Sequence, residues 1–351
     1  MSWLTDLARA EIAALKPYDH AAWEPGLDRL HANEMPWRPL GDQSEAGLNR
    51  YPEPQPGVLL QRLAQLYGVA PQNVLVGRGS DEMIDLLVRA YCRAGQDSIA
   101  ICPPTFGMYA VSARIQGAGV VAVPLRADDG FSLDEAAIVE RCTPAVKLLF
   151  LCSPNNPTGN LMSEAAILRI AAQLAGRTLI VVDEAYIEFA GAPSFVGHIA
   201  SLPQIVVLRT LSKAHGLAGV RCGALIADPE IVALLRKVLT PYAVPQLAVE
   251  AVCGLLASEP LAAAQTLVED VRRERDKLIA ALAMLPAILR VWPSAANFVL
   301  AEFHDAGQAL TRARAANLLI RDVRSQPGLA RALRITVGTP EQNTRLLQAL
   351  R

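Results

Sequence analysis

Apolar residues recur along this chain with two different rhythms. From Val58 to Tyr67, and again at Met83, Ile84, Leu87 and Tyr91, they fall three and four apart, which predicts helices with one buried face. Elsewhere they arrive in short unbroken runs: SIAIC, VVAVPL, KLLFLC, LIVV and the stretch from Ile205 to Leu208, with Gly223 to Ala227 adding one more. Runs without polar alternation suit strands buried on both faces, the condition inside a mostly parallel sheet covered by helices. The two patterns alternate through residues 51–250 and predict an α/β domain, a mostly parallel central sheet flanked by helices.

The pattern changes on either side of that domain. After residue 250 the chain turns alanine-rich and helical up to VEDVRRERDKL, whose mixed charges from Glu269 to Lys277 suit a solvated helix face. RVWPSAANFVLAEF, LLIRDV and LRITVG then read as strands and EQNTRLLQAL as a closing helix, so residues 251–351 predict a smaller α+β domain. Residues 1–50 carry one helical pattern, Leu4 to Leu15, and then lose periodicity in a proline-rich stretch marked by Pro36, Pro39, Pro52, Pro54 and Pro56. The expectation is an extended arm lying partly on the small domain and partly on a partner subunit.

Composition narrows the possible functions. Lys+Arg of 33 against Asp+Glu of 34 leaves a net charge of -1, so no overall basic field favours nucleic acid or an anionic membrane. Six cysteines form no CxxC pair and no zinc-like cluster with histidine, which points to reduced thiols and no metal site. The first stretch carries Asp6, Arg9 and Glu11 without an apolar signal region, and the apolar segment Ile279 to Leu289 is short and broken by Pro286. A cytoplasmic protein with no membrane span is expected.

Candidate chemistry gathers at strand ends. TLSKAHGLAGVRCG, Thr210 to Gly223, follows the run ending at Leu208, so Lys213 lies on the loop leaving a buried strand, the edge where open α/β sheets bind ligands. A lone loop lysine is usually just solvated. Here its amine can form a Schiff base with a carbonyl cofactor, and Thr210, Ser212 and Arg221 offer donors to a phosphate. In GRGSDEM a glycine turn precedes a helix, with Ser80 as N-cap and the amides near Ser80 and Asp81 as a phosphate cradle; an ordinary capped helix is the alternative. The motif lacks the lysine of a nucleotide P-loop and the third glycine of a dinucleotide fingerprint.

Asn156, in SPNNPTGN, follows a second strand, and Asp183, with Tyr186 three residues on, follows a third. An acid directly after a buried strand is costly unless a cation meets it or it caps a helix. Tyr109 opens a helix at another strand exit and either stacks on a ligand ring or packs in the core. Pyridoxal phosphate would give every one of these residues something to do, with Lys213 meeting the carbonyl and moving protons, Asp183 the pyridine nitrogen, Asn156 and Tyr186 the ring hydroxyl, and Tyr109 the ring face. Arg334, inside LRITVG, and Arg321 are candidate grips for substrate anions.

SPNNPTGN, VVDEAY, TLSKAHGLAGVRCG and LRITVG, in that order, resemble the fold-type I pyridoxal-phosphate aminotransferases. GLNRYPEPQP, GRGSDEMIDLLVRAYC and CPPTFGMYAVSA make the chain most similar to the histidinol-phosphate aminotransferase family, and the likeness spans nearly its whole length. That resemblance implies a homodimer with shared active sites, in which Tyr51 reaches the neighbouring cofactor phosphate. It implies reversible amino transfer between L-histidinol phosphate plus 2-oxoglutarate and imidazole-acetol phosphate plus L-glutamate. Arg334 would take the glutamate carboxylate and serve the other substrate's phosphate together with Arg321, with Tyr18 and Asn33 near the substrate. His215 departs from the family's usual apolar residue. Threonine-phosphate decarboxylation and aromatic-amino-acid transamination are the rival activities on the same fold.

Overall fold

The computed structural model describes residues 2–21, 24 and 26–351 of the chain. A seven-stranded sheet organises the larger unit: β1 (Val74–Gly77), β2 (Ser98–Ile101), β3 (Gly119–Ala122), β4 (Val146–Cys152), β5 (Leu179–Asp183), β6 (Ile205–Thr210) and β7 (Gly223–Ile226). Their spatial order is β1-β7-β6-β5-β4-β2-β3. Only β7 runs against its neighbours β1 and β6, so the sheet is mostly parallel.

The unbroken apolar runs find their explanation in two cores. Along β5, Leu179 and Val181 point into one and Ile180 and Val182 into the other, and β4 divides Leu148 and Phe150 from Leu149 and Leu151 in the same way. Helices lie over both faces, so neither face tolerates polar side chains. One run differs from expectation: β3 is the edge strand and is half exposed, because only β2 pairs with it.

The C-terminal unit is a four-stranded antiparallel sheet in the order β10-β11-β9-β8, made of β8 (Ile288–Val291), β9 (Phe298–Phe303), β10 (Arg321–Asp322) and β11 (Ala332–Thr336). The stretch expected to be one strand across Pro293 is two, β8 and β9, paired antiparallel around an intervening turn. The helices Ser258–Ala283, Ala306–Ala315 and Pro340–Leu350 surround this sheet. Buried Arg275, on the long helix, donates to the carbonyls of Phe189 (3.1 Å) in the larger unit and Ala296 (3.3 Å) in the smaller one.

The N-terminal segment forms two single turns, Trp3–Asp6 and Ala10–Ala13, rather than one helix. Leu4 and Ala8 join the core beside Tyr91 and Ile231, Arg9 N–H donates to Ala90 O, and Glu45 N–H to Glu250. These contacts attach the arm to the larger unit. Among the described residues no single helix is long and apolar enough to cross a membrane.

Candidate active site

Strand register brings the candidate residues to one edge. Cys152 at the end of β4 pairs with Asp183 at the end of β5, Asp183 pairs with Leu208 in β6, and Thr210 pairs with Gly223, which also pairs with Gly77 at the end of β1. Asn156, Asp183, Lys213, Arg221 and Ser80 all lie at or a few residues beyond these positions. Together with Phe106, Tyr186, Thr210, Ser212 and Asp81 they line a cavity of about 140 Å³. A second space of about 470 Å³ adjoins it, sharing Phe106, Asn156, Tyr186 and Lys213 and adding Arg321 and Arg334 from the smaller sheet. An open depression of about 750 Å³ shares only Arg221 with them, so the candidate residues gather in the two smaller spaces.

Asp183 is buried at the cavity floor. The Tyr109 hydroxyl donates to its Oδ2 at 2.7 Å and Ala185 N–H to its Oδ1 at 3.1 Å. Burial nevertheless pushes its pKa up to about 6, against the pull of those two donors. Lys213 Nζ lies 5.8 Å from the centre of the Tyr186 ring. Partial burial, then the nearby guanidinium groups of Arg334 and Arg221, hold its ammonium below the usual lysine range. Burial lifts the Tyr186 phenol well above its ordinary value, and Asn156 Nδ2 approaches its hydroxyl at 3.4 Å.

At the other end of the cavity a phosphate-sized donor set forms. The cap of the helix Ser80–Tyr91 is Gly79, at φ +92°, and Ser80 is the first helical residue rather than the cap that the sequence suggested. No side chain caps this helix end, and its first two residues, Ser80 and Asp81, line the cavity. A Cβ on Gly223 would sit 2.5 Å from Ser80 N, so only glycine lets β7 pass this close beneath the helix start. Arg221 Nη1 donates to Ser212 Oγ (3.4 Å), its other arm stands 3.6 Å from the Asp81 carboxylate, and Thr210 Oγ1 accepts from Ser212 N–H (3.1 Å).

Arg321 and Arg334 are directly paired residues of β10 and β11. Two cations placed side by side at the mouth of a cavity repel unless an anion joins them. The Arg334 guanidinium also covers the Phe298 ring at 5.1 Å and donates to Asn156 Oδ1.

A family model described as aminotransferase class I and II matches residues 32–350. The chain belongs to that family. The aminotransferase is 51% identical, over 99% of its own length and 96% of the relative's, to a protein of Xylella fastidiosa (strain 9a5c) named histidinol-phosphate aminotransferase. Among solved structures it is similar to L-threonine-O-3-phosphate decarboxylase of Porphyromonas gingivalis, with 28% identity, TM-score 0.72, and coverage of 86% and 92% of the two chains. It is also similar to histidinol-phosphate aminotransferase of Sinorhizobium meliloti in complex with pyridoxal-5'-phosphate, with 26% identity, TM-score 0.75, and coverage of 86% and 82%.

Tyr109, Tyr18, Asn33 and Tyr51 are not among the residues that line either space within this chain. Tyr109 is fully buried, stacked on Phe150 with ring centres 4.8 Å apart, and shows no ring face to the cavity. It is a core residue with one polar role, holding Asp183. The aromatic that lines both cavities is Phe106, three residues earlier and edge-on to Tyr109, which the sequence pattern did not single out. Its signal was its place on the strand-exit loop itself, whereas Tyr109 is already inside the helix Met108–Gln116. Asn155 anchors that loop, accepting from Thr105 Oγ1 (3.0 Å) and donating to Pro104 O (2.9 Å). Tyr18, Asn33 and Tyr51 line neither cavity; Tyr18 and Tyr51 are exposed, and Tyr51 stacks on Tyr242 at 4.7 Å.

Proposed function

We propose that this aminotransferase is a histidinol-phosphate transaminase of histidine biosynthesis, exchanging the amino group between L-histidinol phosphate and 2-oxoglutarate, with pyridoxal 5'-phosphate as cofactor. The observation that carries the reading is the Arg321–Arg334 pair facing the cavity that also holds Lys213. Both partner substrates bring an anion there, a carboxylate on glutamate and a phosphate on histidinol phosphate. The near full-length identity to the Xylella protein supports the same reading.

The residues fit the cofactor. Asp183 is a buried carboxyl that forms no ion pair among the described residues, a costly placement that a protonated ring nitrogen relieves. The open helix end at Ser80 and Asp81, with Thr210, Ser212 and Arg221, suits a phosphate. When bound, the cofactor supplies a carbonyl and an electron-withdrawing ring on which an amino group can be carried.

The protein's own groups do the rest. Asp183 accepts from the ring nitrogen and keeps that proton in place. Lys213, its ammonium destabilised by burial and by two arginines, gives up a proton readily and moves one at the substrate Cα. Asn156 and Tyr186 donate toward the ring hydroxyl oxygen, and Phe106 provides a flat apolar wall. Arg334 takes a substrate carboxylate bidentately, and Arg321 shares the phosphate.

The reading includes a cytoplasmic homodimer. Leu30, Met35, Trp37 and Leu40 of the arm are strongly exposed, a patch that a second copy would cover. Across that contact Tyr51 would reach the neighbouring phosphate end, and Tyr18 and Asn33 the substrate.

Adding glutamate to the holoenzyme and following cofactor absorbance tests the assignment. Imidazole-acetol phosphate should restore the starting spectrum fastest and aromatic keto acids slowly. Carbon dioxide release from O-phospho-L-threonine would instead indicate chemistry like that of the Porphyromonas relative.

A further inference from the structure

A guanidinium that receives a substrate anion has to be held in place without being neutralised, because a carboxylate partner would compete with the substrate. Arg334 meets that condition. No acidic side chain stands against it among the described residues; it donates to the amide oxygen of Asn156 and lies over the Phe298 ring, with Cζ 5.1 Å from the ring centre. Both partners are neutral.

The small sheet fixes the aromatic contact. Arg334 of β11 pairs with Leu300 of β9, and Thr336 pairs with Phe298, so Phe298 is the diagonal neighbour of Arg334 on the same face. The ring is itself immobilised. It is 3% exposed, meets the Tyr186 ring nearly perpendicular (88°) at 5.1 Å, and packs with Phe189, Val268 and Ala296. Arg275 ties that cluster together through the carbonyls of Phe189 and Ala296. An aromatic face attracts a cation without supplying a formal negative charge, and more strongly where water is excluded. Against this attraction stands Arg321, the like charge directly across the ladder from Arg334.

We propose that Phe298 is a positioning residue for the substrate: its ring face, with Asn156 Oδ1, holds the Arg334 guanidinium against repulsion from Arg321 and leaves its charge for the incoming carboxylate. Phe298 lines neither cavity, so it acts through Arg334 and not by touching substrate. The inference rests on the reading of Arg334 as the carboxylate grip.

The test compares four holoenzymes, the wild type, Phe298→Leu, Arg334→Gln and the double variant, in the half-reaction with glutamate, followed by cofactor absorbance at increasing glutamate concentration. Leucine fills much of the same buried space but offers no ring face. Phe298→Leu should raise the half-saturating glutamate concentration about fivefold and leave the limiting rate within about twofold. Arg334→Gln should raise it about thirtyfold or more. In the double variant the ring has no cation to hold, so half-saturation should match that of Arg334→Gln. A Phe298→Leu effect of equal size in both backgrounds overturns the proposal, because a ring that only packs the two units together does not need Arg334. So does unchanged half-saturation in Phe298→Leu beside a weakened Arg334→Gln, a result that leaves the grip itself standing. Arg334→Gln saturating like the wild type would overturn the reading of the grip, and the role of Phe298 with it. If Phe298→Leu fails to fold, Phe298→Met, unbranched and adaptable, takes its place in the same comparison.

Discussion

Replacing Tyr109 with phenylalanine removes one hydroxyl and leaves a ring that is stacked on Phe150 and fully buried. The lost hydroxyl donates at 2.7 Å to Asp183 Oδ2, so the change acts on the acid alone. A hydrogen bond to a charged acceptor contributes about 1.5–3 kcal/mol, equivalent to roughly one to two pKa units. The donor favours the ionised acid, so its loss adds to the effect of burial. From about 6 in the wild-type apoprotein, Asp183 should move to about 7–8 in Tyr109→Phe. Only the ionised acid pairs with a protonated ring nitrogen. The assay is cofactor affinity of the apoprotein, measured by absorbance titration from pH 5 to pH 9 for both proteins (about the range in which such shifts are visible). Ionisations of the cofactor itself are common to both curves and cancel in their difference. Affinity should begin to fall at a pH higher by about one to two units in the variant. Superimposable curves would refute the claim that this hydroxyl tunes Asp183.

Further expectations concern individual residues. Asp183 has a folded pKa of about 6 against an ordinary 3.8, so the folded apoprotein holds a proton that the unfolded chain releases. Its stabilising contribution is complete below the unfolded value and is lost as pH rises through about 6, a swing of about 3 kcal/mol. Denaturant unfolding should therefore find apo Asp183→Asn more stable than wild type at pH 7, with the gap closing toward pH 4 (roughly the unfolded pKa), while its transamination falls by orders of magnitude. Lys213→Ala should lower turnover by about 10⁴ or more, measured with glutamate and 2-oxoglutarate, and near-normal transamination would remove the lysine from the mechanism. Arg334→Lys loses bidentate geometry, at a cost of about 2 kcal/mol or roughly thirtyfold in kcat/KM for glutamate. Phe106→Leu should weaken cofactor affinity about fivefold without moving its pH dependence, the opposite signature to Tyr109→Phe.

The strand-end chemistry was legible because its signal is local. LIVV leads directly to Asp183, and Ile205 to Leu208 leads within five residues to Lys213, so each run ends near a polar group, and the sheet register brings the two strand ends side by side. Tyr109 shows where local reading stops. It and Phe106 are three residues apart across Gly107, and which ring meets the cavity depends on where loop becomes helix. The helix starts at Met108, which turns Tyr109 inward onto Phe150 and leaves Phe106 at the strand ends. Element boundaries are the weakest part of any pattern reading, and this misplacement was one of a single boundary. The N-terminal arm's attachment to the larger unit was hidden for a different reason, since it is set by contacts between distant segments.

Asn156 shows how much meaning a distant contact adds to a legible residue. Its neighbour Asn155 is fully buried in loop scaffolding, so two adjacent asparagines have unrelated roles. An amide side chain carries one acceptor and two N–H donors, and its orientation follows from whatever its oxygen meets. Here Oδ1 accepts from Arg334, a residue 178 positions away in the chain. That contact turns Nδ2 toward Tyr186, which it approaches at 3.4 Å. One of its two N–H groups serves the tyrosine, and the other is free to donate into the cavity that Asn156 lines. Aspartate in this position would keep the arginine but have no hydrogen to donate; glutamine would carry the amide one methylene further from the strand end. The arginine that lines the larger space thus orients the amide that faces the smaller one, which makes Asn156→Asp the substitution that separates pairing from donation: Arg334 stays paired while the donor is lost.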